Sequence, residues 1–600
     1  MVNPMKIAAA VVVLGAAGAG AADWYLMHQA ETMARDGLAR FTATGLPPGS
    51  TLTTGDIAVA PFGRKVTLRD LKGVIKLPAQ VIPVASAGQS AGLPGLPPPI
   101  SGQSITIPAQ DATFSIAEVA IIPRLDGQHF DGTASGLTYD LAAPKAHATI
   151  AQIQAEGLDG TALDHYKYGD QIGAEHERMD TLAVEIADMG SVSLASAEAR
   201  DIVGGSIGQM SLDGLTAHLT LGPAKIEESV RHVGVEGFSL GASPQALAHD
   251  PQAMLAQARD LFGIKSLAID DLSATAPDAQ GGKITLGRLH LDDVRHDSGK
   301  SLALSFGLED LAVQTPQAKV GLKTFAIAGL AVPIDPAEYQ TQEKLSQYLM
   351  NGFGIKGMTV ENLSVAGEIG NLSLESLLMK DITHKNGVIT GGSESLTHLV
   401  VPLDQMPDPR FWGLGEIVGP TVENLLGKSL DLSFGAVSAS DPDTGHVEFG
   451  PVTVDIARLI SARLSGTLEN VKPNTGPLAL PPEQQARSGL DEFGRYQMKD
   501  VTVSLTDLGL VRGMIADQAK AAGAPPQMLA ANLATMVRAE LAPVFGPARA
   551  AAVAGALQSW LAGDKPTLSV TASAPQPIAF ATLSSGQPVP DDVAVTAEAR

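Results

Sequence analysis

Short strand-and-turn segments recur along this chain, and each is entered through a predicted helix. The tetrapeptide Phe-Gly-Ile-Lys at residues 262–265 reappears at residues 353–356, and Leu-Ser at residues 272–273 reappears at residues 363–364. A chain built from repeated β units buries its core between neighbouring units. We therefore expect a modular architecture that acts through one extended surface rather than through one catalytic centre.

Helix starts precede the repeated segments at matching positions. Ser-Pro or Asp-Pro pairs stand at residues 243–244, 335–336 and 408–409. Ser and Asp cap free backbone amides, and Pro fits the first helical turn, where its missing N–H costs nothing. Eighteen or nineteen residues later an apolar residue and a Gly occur, at residues 262–263, 353–354 and 426–427. The predicted unit is a helix that ends at Gly, followed by a β-meander.

Apolar residues alternate within these units. Ile284 and Leu286, then Leu289 and Leu291, show the two-residue period of a half-buried strand, and the break in phase near Gly287 predicts a bulge. A degenerate early copy is predicted at residues 191–202, because its apolar residues match residues 283–294 at one constant spacing. One face of the predicted sheet is therefore apolar.

Several acidic residues stand near predicted strand ends, where Asp favours tight turns. These are Asp70, Asp271, Asp293, Asp310 and Asp381. We expect turn chemistry from them rather than metal binding.

Composition excludes several classes of function. Aromatic residues make up 4% of the chain although 44% is hydrophobic, so the core must be aliphatic. The net charge of −23 would repel phosphate backbones, which excludes nucleic acid as an expected partner. The chain contains 0 Cys, so disulfides, thiolate metal sites and cysteine nucleophiles are absent from it.

The amino terminus predicts export. Lys6 precedes an uncharged run from Ile7 to Ala22, and the apolar stretch to Met27 approaches the roughly 20 residues that span a bilayer. Trp24 and Tyr25 would suit the membrane interface, which favours an uncleaved anchor in the inner membrane. The small residues at 19–22 fit a signal-peptidase site, so a cleaved signal and a soluble periplasmic chain remain the alternative.

The chain divides into eight predicted segments. They are 1–28 signal anchor or signal peptide; 29–82 short helix and first strands; 83–108 Pro/Gly-rich loop; 109–242 β-rich region with the degenerate repeat; 243–334, 335–407 and 408–495 repeat modules; and 496–600 C-terminal strands and helical cap. Three Ala-rich helices are predicted at residues 508–522, 527–545 and 548–561, followed by a last β segment with Leu568, Val570 and Ile578. We expect these helices to cap the array, with an independent docking module as the alternative.

Motifs that could carry chemistry have simpler structural interpretations. Gly204, Ser206 and Gly208 spell a nucleophile elbow, but strands are predicted on both sides where the elbow needs a helix. The His and Asp residues at 290–297 are the densest set of potential metal ligands and are interpreted as a turn. The Asp residues at 441 and 443 precede Gly445 without the remaining ligands of a calcium loop, which predicts a hairpin. No catalytic, cofactor-binding or metal-binding residue is predicted, and no cofactor.

The strand-and-turn segments VTLRDLKG at residues 66–73 and LAIDDLSA at residues 267–274, behind an N-terminal anchor and a short helix, resemble the AsmA-like and YdgA-like bacterial envelope proteins. The resemblance implies an α+β, β-rich fold: an elongated, curved antiparallel sheet of repeated helix plus β-meander modules, with an N-terminal membrane anchor and a C-terminal helical segment. In the AsmA-like group such a sheet is associated with lipid handling and outer-membrane homeostasis.

The expected function is a non-enzymatic periplasmic envelope protein that binds or transfers lipid. Its expected partners are the inner membrane, through the N-terminal segment, and lipid or envelope proteins. A structural scaffold or interaction module without a ligand is the main alternative, because helices within the modules could cover the apolar face. A secreted hydrolase that uses Ser206, or His290 and His296, is a remote alternative.

Overall fold

The chain folds mainly into antiparallel β-sheet in the computed structural model. The structure describes residues 35–36, 38–39, 42–43, 46–60, 65–77, 80–83, 104–107, 109–126, 128–142, 145–159, 173–203, 206–221, 224–239, 264–276, 281–297, 301–333, 355–367, 370–385, 388–403, 424–471, 495–584 and 588–600. The predicted anchor at residues 1–28 lies outside the described residues, as do the predicted helix starts at 243–244, 335–336 and 408–409.

The chain divides into two compact units, residues 1–294 and 295–600. The strands of the first unit are β1 (Thr51–Thr53), β2 (Asp56–Val59), β3 (Val66–Leu77), β4 (Gln80–Pro83), β5 (Ser104–Ile107), β6 (Gln110–Pro123), β7 (His129–Ala142), β8 (Lys145–Asp159), β9 (Ala174–Ile186), β10 (Gly190–Val203), β11 (Ser206–Leu221), β12 (Ala224–Ser239), β13 (Ser266–Ala276) and β14 (Gly282–Asp297). β1 and β2 both pair with β3, and from β3 through β6 to β14 each strand pairs antiparallel with the next. We call this the first sheet. β4 and β5 form a separate hairpin.

The second unit contains a second meander, which we call the second sheet. Its strands are β15 (Ser301–Gln314), β16 (Ala318–Pro333), β17 (Gly357–Gly367), β18 (Gly370–Lys385), β19 (Val388–Pro402), β20 (Ser429–Asp441), β21 (His446–Ile456), β22 (Ile460–Glu469), β23 (Gln497–Asp507), β24 (Thr567–Ala579) and β25 (Ala594–Ala599). Each strand pairs antiparallel with the next.

Three helices interrupt the second sheet without breaking its order. They are α1 (Leu510–Ala522), α2 (Pro526–Phe545) and α3 (Pro547–Leu561), and a short α4 (Phe580–Ser584) follows β24. The Ala-rich sequence predicted the first three almost to the residue. They lie in the connection between β23 and β24, which pair directly with each other, and the sheet continues to β25.

The repeat predicted from the sequence is present in the backbone. The N–H of Lys265 donates to the carbonyl of Glu236 at 2.8 Å, and the N–H of Lys356 donates to the carbonyl of Ala328 at 2.9 Å, so both copies enter their strand through the same bond. In the third copy residues 424–426 are helical, and Gly427 ends the turn with φ +66°. Gly is the residue that adopts this left-handed conformation without strain.

Two local predictions are wrong. Asp70, Asp271, Asp310 and Asp381 do not lie in turns but inside β3, β13, β15 and β18, and Asp293 lies inside β14. The first four have φ between +52° and +54°, a conformation that Asp tolerates better than most residues because its short side chain can bond locally. The loop predicted at residues 83–108 also contains a strand, because residues 104–107 pair with residues 80–83.

A candidate apolar binding surface

Left-handed residues inside the strands keep apolar side chains on one face. In β13, Asp271 has φ +52°, and neither it nor Gly287 opposite it in β14 belongs to the paired register. In each strand the apolar residues therefore follow one another at intervals of two, three and two residues instead of a constant interval of two. The cross-strand apolar pairs that result are Leu267 with Leu291, Ile269 with Leu289, Leu272 with Leu286, and Ala274 with Ile284. This explains the break in phase near Gly287.

Close backbone approach accompanies these left-handed positions. A Cβ on Gly136 of β7 would lie 2.9 Å from the Cβ of Ala117, and a Cβ on Gly214 of β11 would lie 2.9 Å from the Cβ of Ala195. In a third pair the left-handed residue is Asp201 of β10, and the glycine is the residue opposite it, Gly208 of β11. One residue of each of these pairs therefore has no side chain.

The first sheet carries an unbroken apolar row, which we call the first central row. It contains one residue from each of ten successive strands, in register: Leu68, Val119, Ala134, Ile153, Met179, Ala197, Leu212, Val233, Ile269 and Leu289. Leu68 and Val119 are 0% exposed and Ala197 is 7% exposed, whereas the last four residues are only half-buried. The apolar face is thus buried from β3 to β10 and partly exposed from β11 to β14.

The second sheet carries a matching row across all eleven strands, the second central row. Its residues are Leu308, Phe325, Val360, Leu377, Leu396, Phe434, Val454, Ala462, Leu505, Leu568 and Ala599. All except Leu568 are only half-buried. Leu464 of β22 and Val503 of β23 lie on the same face, each two residues along its strand from the row. They lie opposite each other and are 36% and 38% exposed. This face of the second sheet is the candidate binding surface.

Helices cover only part of that surface among the described residues. Val544 and Phe545 at the end of α2 join Ile578 of β24 and Val595 of β25 around the buried residues Ala574, Val589 and Val593. The helix α3 also packs against β25. Leu510 at the start of α1 packs against Leu426 and Leu459. Leu464 and Val503 belong to neither of these clusters and stay exposed.

The opposite face of both sheets is polar. Hydroxyl pairs link β23 and β24 at 2.9 Å: Thr502 with Thr571, Ser504 with Ser569, and Thr506 with Thr567. All eight histidines whose side chains the structure describes lie within 4.0 Å of a carboxylate oxygen. These pairs are largely exposed, where ion pairs contribute little to stability.

Two of these histidines have raised pKa values. The pKa of His398 is raised chiefly by its hydrogen bond to Asp431, whose Oδ1 lies 3.0 Å from Nδ1. The pKa of His446 is raised chiefly by its hydrogen bond to Glu469, at 2.9 Å. Both shifts favour the protonated ring beside a carboxylate. The first pair links β19 to β20, and the second links β21 to β22.

The residues singled out for chemistry lie apart. Ser206 is the first residue of β11, so a strand rather than a helix follows it, and His218 lies in the same strand, 4.0 Å from Glu227. The interpretation of residues 290–297 as a turn is wrong, because they lie inside β14, where His290 Nε2 is 3.8 Å from Asp292. Within the described part of the chain, no group of three or more His, Asp or Glu side chains could hold a metal ion.

The predicted hairpin at residues 441–445 is confirmed. Asp441 ends β20, and its carboxylate accepts the N–H of Asp443 and the hydroxyl of Thr444, each at 3.1 Å. Gly445 has φ +74° and donates its N–H to the carbonyl of Asp441 at 2.8 Å. The acidic side chains at this position therefore close a turn.

Comparison with known proteins adds one partial match. A family model described only as an uncharacterized protein matches residues 453–600, the segment that contains β22–β25 and the helices α1–α4. No curated protein matches the chain, and no solved structure matches it.

Proposed function

We propose that the chain is a non-enzymatic protein of the bacterial cell envelope that binds acyl chains on the apolar face of its second sheet. The observation that carries this proposal is the second central row, which is apolar in all eleven strands and half-buried in ten of them. A soluble chain gains nothing by leaving so long an apolar row in contact with water, since burial of apolar surface is favourable.

The dimensions of the row suit an extended apolar ligand. Neighbouring strands lie roughly 4.8 Å apart, so ten steps extend over roughly 48 Å. Each methylene group that a ligand buries contributes about 0.8 kcal/mol. The row is aliphatic and contains only two aromatic residues, Phe325 and Phe434, which suits flexible hydrocarbon better than stacked rings.

The resemblance to AsmA-like and YdgA-like proteins supports the cellular part of the proposal. It implies an elongated, curved sheet held in the periplasm by the N-terminal segment in the inner membrane, with lipid transfer for outer-membrane homeostasis. Among the described residues, α2 is the one helix whose length and composition would allow it to cross a membrane, with a mean hydropathy of 1.2. That helix packs on α3 and ends in contact with the sheet, so the proposal assigns the anchor to the N-terminal segment.

A scaffold without a ligand is the second candidate, and the cluster that joins the end of α2 to Ile578 and Val595 favours it. If helices protect the whole apolar face, no surface is left for lipid. Native mass spectrometry and lipid extraction of the purified chain distinguish the two. The proposal predicts co-purified lipid, which is lost in Val503→Asp and retained in Ser504→Asp, where the charge lies on the polar face.

The absence of lipid from the unaltered chain, or equal retention by both variants, would contradict the binding proposal. The remote hydrolase alternative has its own test. Substitution of Ser206, His290 and His296 by Ala is expected to leave the envelope phenotype unchanged, because none of these residues belongs to the proposed surface.

A further inference from the structure

The helix α2 places small residues inward and long apolar residues outward. Ala530 and Ala534 are 0% and 3% exposed and lie one turn apart on its buried face. Met528 and Met536 are 51% and 65% exposed. In a helix that only supports a soluble fold, the long apolar side chains take the buried positions. The arrangement in α2 therefore points to an occupant outside the chain.

The exposed side of α2 is a continuous uncharged stripe, which we call the α2 stripe. With about 3.6 residues per turn, six exposed residues lie on the side opposite the buried alanines. They are Met528, Asn532, Thr535, Met536, Ala539 and Pro543. The hydroxyl of Thr535 donates to the carbonyl of Ala531 at 2.8 Å, so the helix itself satisfies it. Methionine adapts to irregular apolar surroundings, which suits a contact surface of varying shape.

The sequence around the α2 stripe is uncharged as well. Residues 521–537 contain no Asp, Glu, Lys or Arg, although 18% of the whole chain is charged. They include the turn between α1 and α2, at residues 521–526, in which five of the six residues are exposed. An exposed apolar region of this kind marks an interaction site.

Basic residues at the borders of this region indicate the chemistry of the partner. Residues 510–561 have a net charge of +2, whereas the whole chain has −23. The charged residues in this range are the basic Arg512, Lys520, Arg538 and Arg549 and the acidic Asp517 and Glu540. Lys520 and Arg538 directly flank the uncharged residues and are exposed. Long basic side chains at the border of an apolar surface reach anionic lipid headgroups and strengthen binding to them.

We propose that the α2 stripe and the turn at residues 521–526 dock on the surface of an anionic phospholipid bilayer. Met528 and Met536 would enter the boundary between headgroups and acyl chains, with Lys520 and Arg538 at the level of the phosphates. The helix lies on the bilayer rather than across it, because its other side packs on α3. This docking goes beyond acyl-chain binding by the second sheet and does not depend on it.

A single fluorescent label tests the docking in the full chain, reconstituted into phosphatidylcholine vesicles with and without phosphatidylglycerol. Because the chain contains 0 Cys, Met536→Cys and Arg463→Cys can each carry one environment-sensitive fluorophore. Arg463 is the control, since it is exposed on the polar face of the second sheet. With phosphatidylglycerol present, we expect nitroxide-labelled phospholipid to quench the label at 536 and not the label at 463. The quenching at 536 should weaken without phosphatidylglycerol and at high salt.

A charge in the α2 stripe tests the contact itself. In the chain labelled at 536, Met528→Asp should lower the ratio of docked to free helices at least about tenfold, the effect of losing roughly 1.4 kcal/mol. Ser504→Asp adds the same charge on the polar face of the sheet and should leave this ratio unchanged. Circular dichroism checks that both variants keep the fold.

The outcomes separate this proposal from acyl-chain binding. Val503→Asp should remove lipid from the sheet and leave the quenching at 536 in place, so either proposal can fail alone. A label at 536 that is not quenched would overturn the docking proposal, and this includes a chain whose α2 stripe meets only another protein or a second copy. Equal quenching at 463, or quenching that is indifferent to phosphatidylglycerol, would overturn it too.

Discussion

Asp201 in β10 and Gly208 in β11 approach so closely that a Cβ on Gly208 would lie 2.8 Å from the Cβ of Asp201. Asp201 has φ +55° and lies in the strand interior. In the pair of Gly136 and Ala117 the glycine is itself the left-handed residue, whereas here the glycine lies opposite the left-handed residue. In both pairs one of the two residues is a glycine, which permits the close approach, and the left-handed residue holds the apolar side chains on one face.

Gly208→Ala is therefore expected to destabilise β10 and β11 by about 1–3 kcal/mol, the usual cost of an overpacked contact. Urea unfolding and amide hydrogen exchange of the two strands measure it. The double variant Asp201→Gly/Gly208→Ala removes the clashing Cβ and should recover most of the loss. Gly555→Ala in α3 is the matched control, because a Cβ there meets nothing within 4 Å.

The left-handed conformation itself predicts a difference between substitutions at Asn362. This residue has φ +51° in β17 and is exposed. Asn362→Gly should be nearly neutral, whereas Asn362→Val should cost about 1–2 kcal/mol, because a branched side chain clashes with its own carbonyl in this region. Thermal unfolding compares the two. Equal melting temperatures would show that the strand is regular at this position.

The sequence is enough to predict that one face of the sheet is apolar. It is not enough to predict the left-handed residues that keep the apolar side chains on that face. Alternation predicted the strands around Leu286 and Leu289, and the break in phase between them was visible. The frequency of Asp in turns favours a turn at Asp271, and a single sequence does not show that strand pairing continues past this residue. The signal that identifies most of these positions is an Asp, Asn or Gly followed by Leu or Ile, set between apolar residues three apart.

Other features depended on contacts far apart in the sequence. The Ala-rich composition located α1–α3, yet it could not show that β23 and β24 pair across them, because that pairing joins residues such as Val503 and Val570. β25 was missed because Ala594–Ala599 is rich in Ala, which has low strand propensity. The half-burial of the second central row depends on which side chains are covered, and alternation carries no information about that.

Asp507 is expected to be essential for the start of α1. It is 3% exposed, and its carboxylate accepts the N–H of Val511 at 2.8 Å, the N–H of Arg512 at 3.1 Å and the Nε–H of Arg512 at 3.0 Å. Asp507→Ala removes the cap and leaves these donors without it, which costs about 1–3 kcal/mol. Asp507→Asn should lose less. Hydrogen exchange of residues 511–513 reports the change, and unaltered protection in Asp507→Ala would contradict this role.

The pair of His398 and Asp431 predicts a pH-dependent contact between β19 and β20. Since the pKa of His398 is raised in the folded chain, the contribution of the pair is fully present below the unfolded pKa and is lost as pH rises through the folded pKa. Asp431→Asn should return the pKa of His398 toward its ordinary value, as followed by NMR titration of the ring. Glu375→Gln is the control, because Glu375 is 3.8 Å away and should shift it less. An unchanged pKa in Asp431→Asn would contradict the assignment.

The central claim is that the apolar face of the second sheet binds acyl chains, and two adjacent residues of β22 test it most directly. Leu464 and Arg463 are both exposed, and they lie on opposite faces of the strand. Because the chain contains 0 Cys, Leu464→Cys and Arg463→Cys can each carry a single fluorophore. A nitroxide-labelled fatty acid should quench the label at 464 saturably and should quench the label at 463 much less. Equal quenching at both positions, or no saturable quenching at 464, would contradict the account.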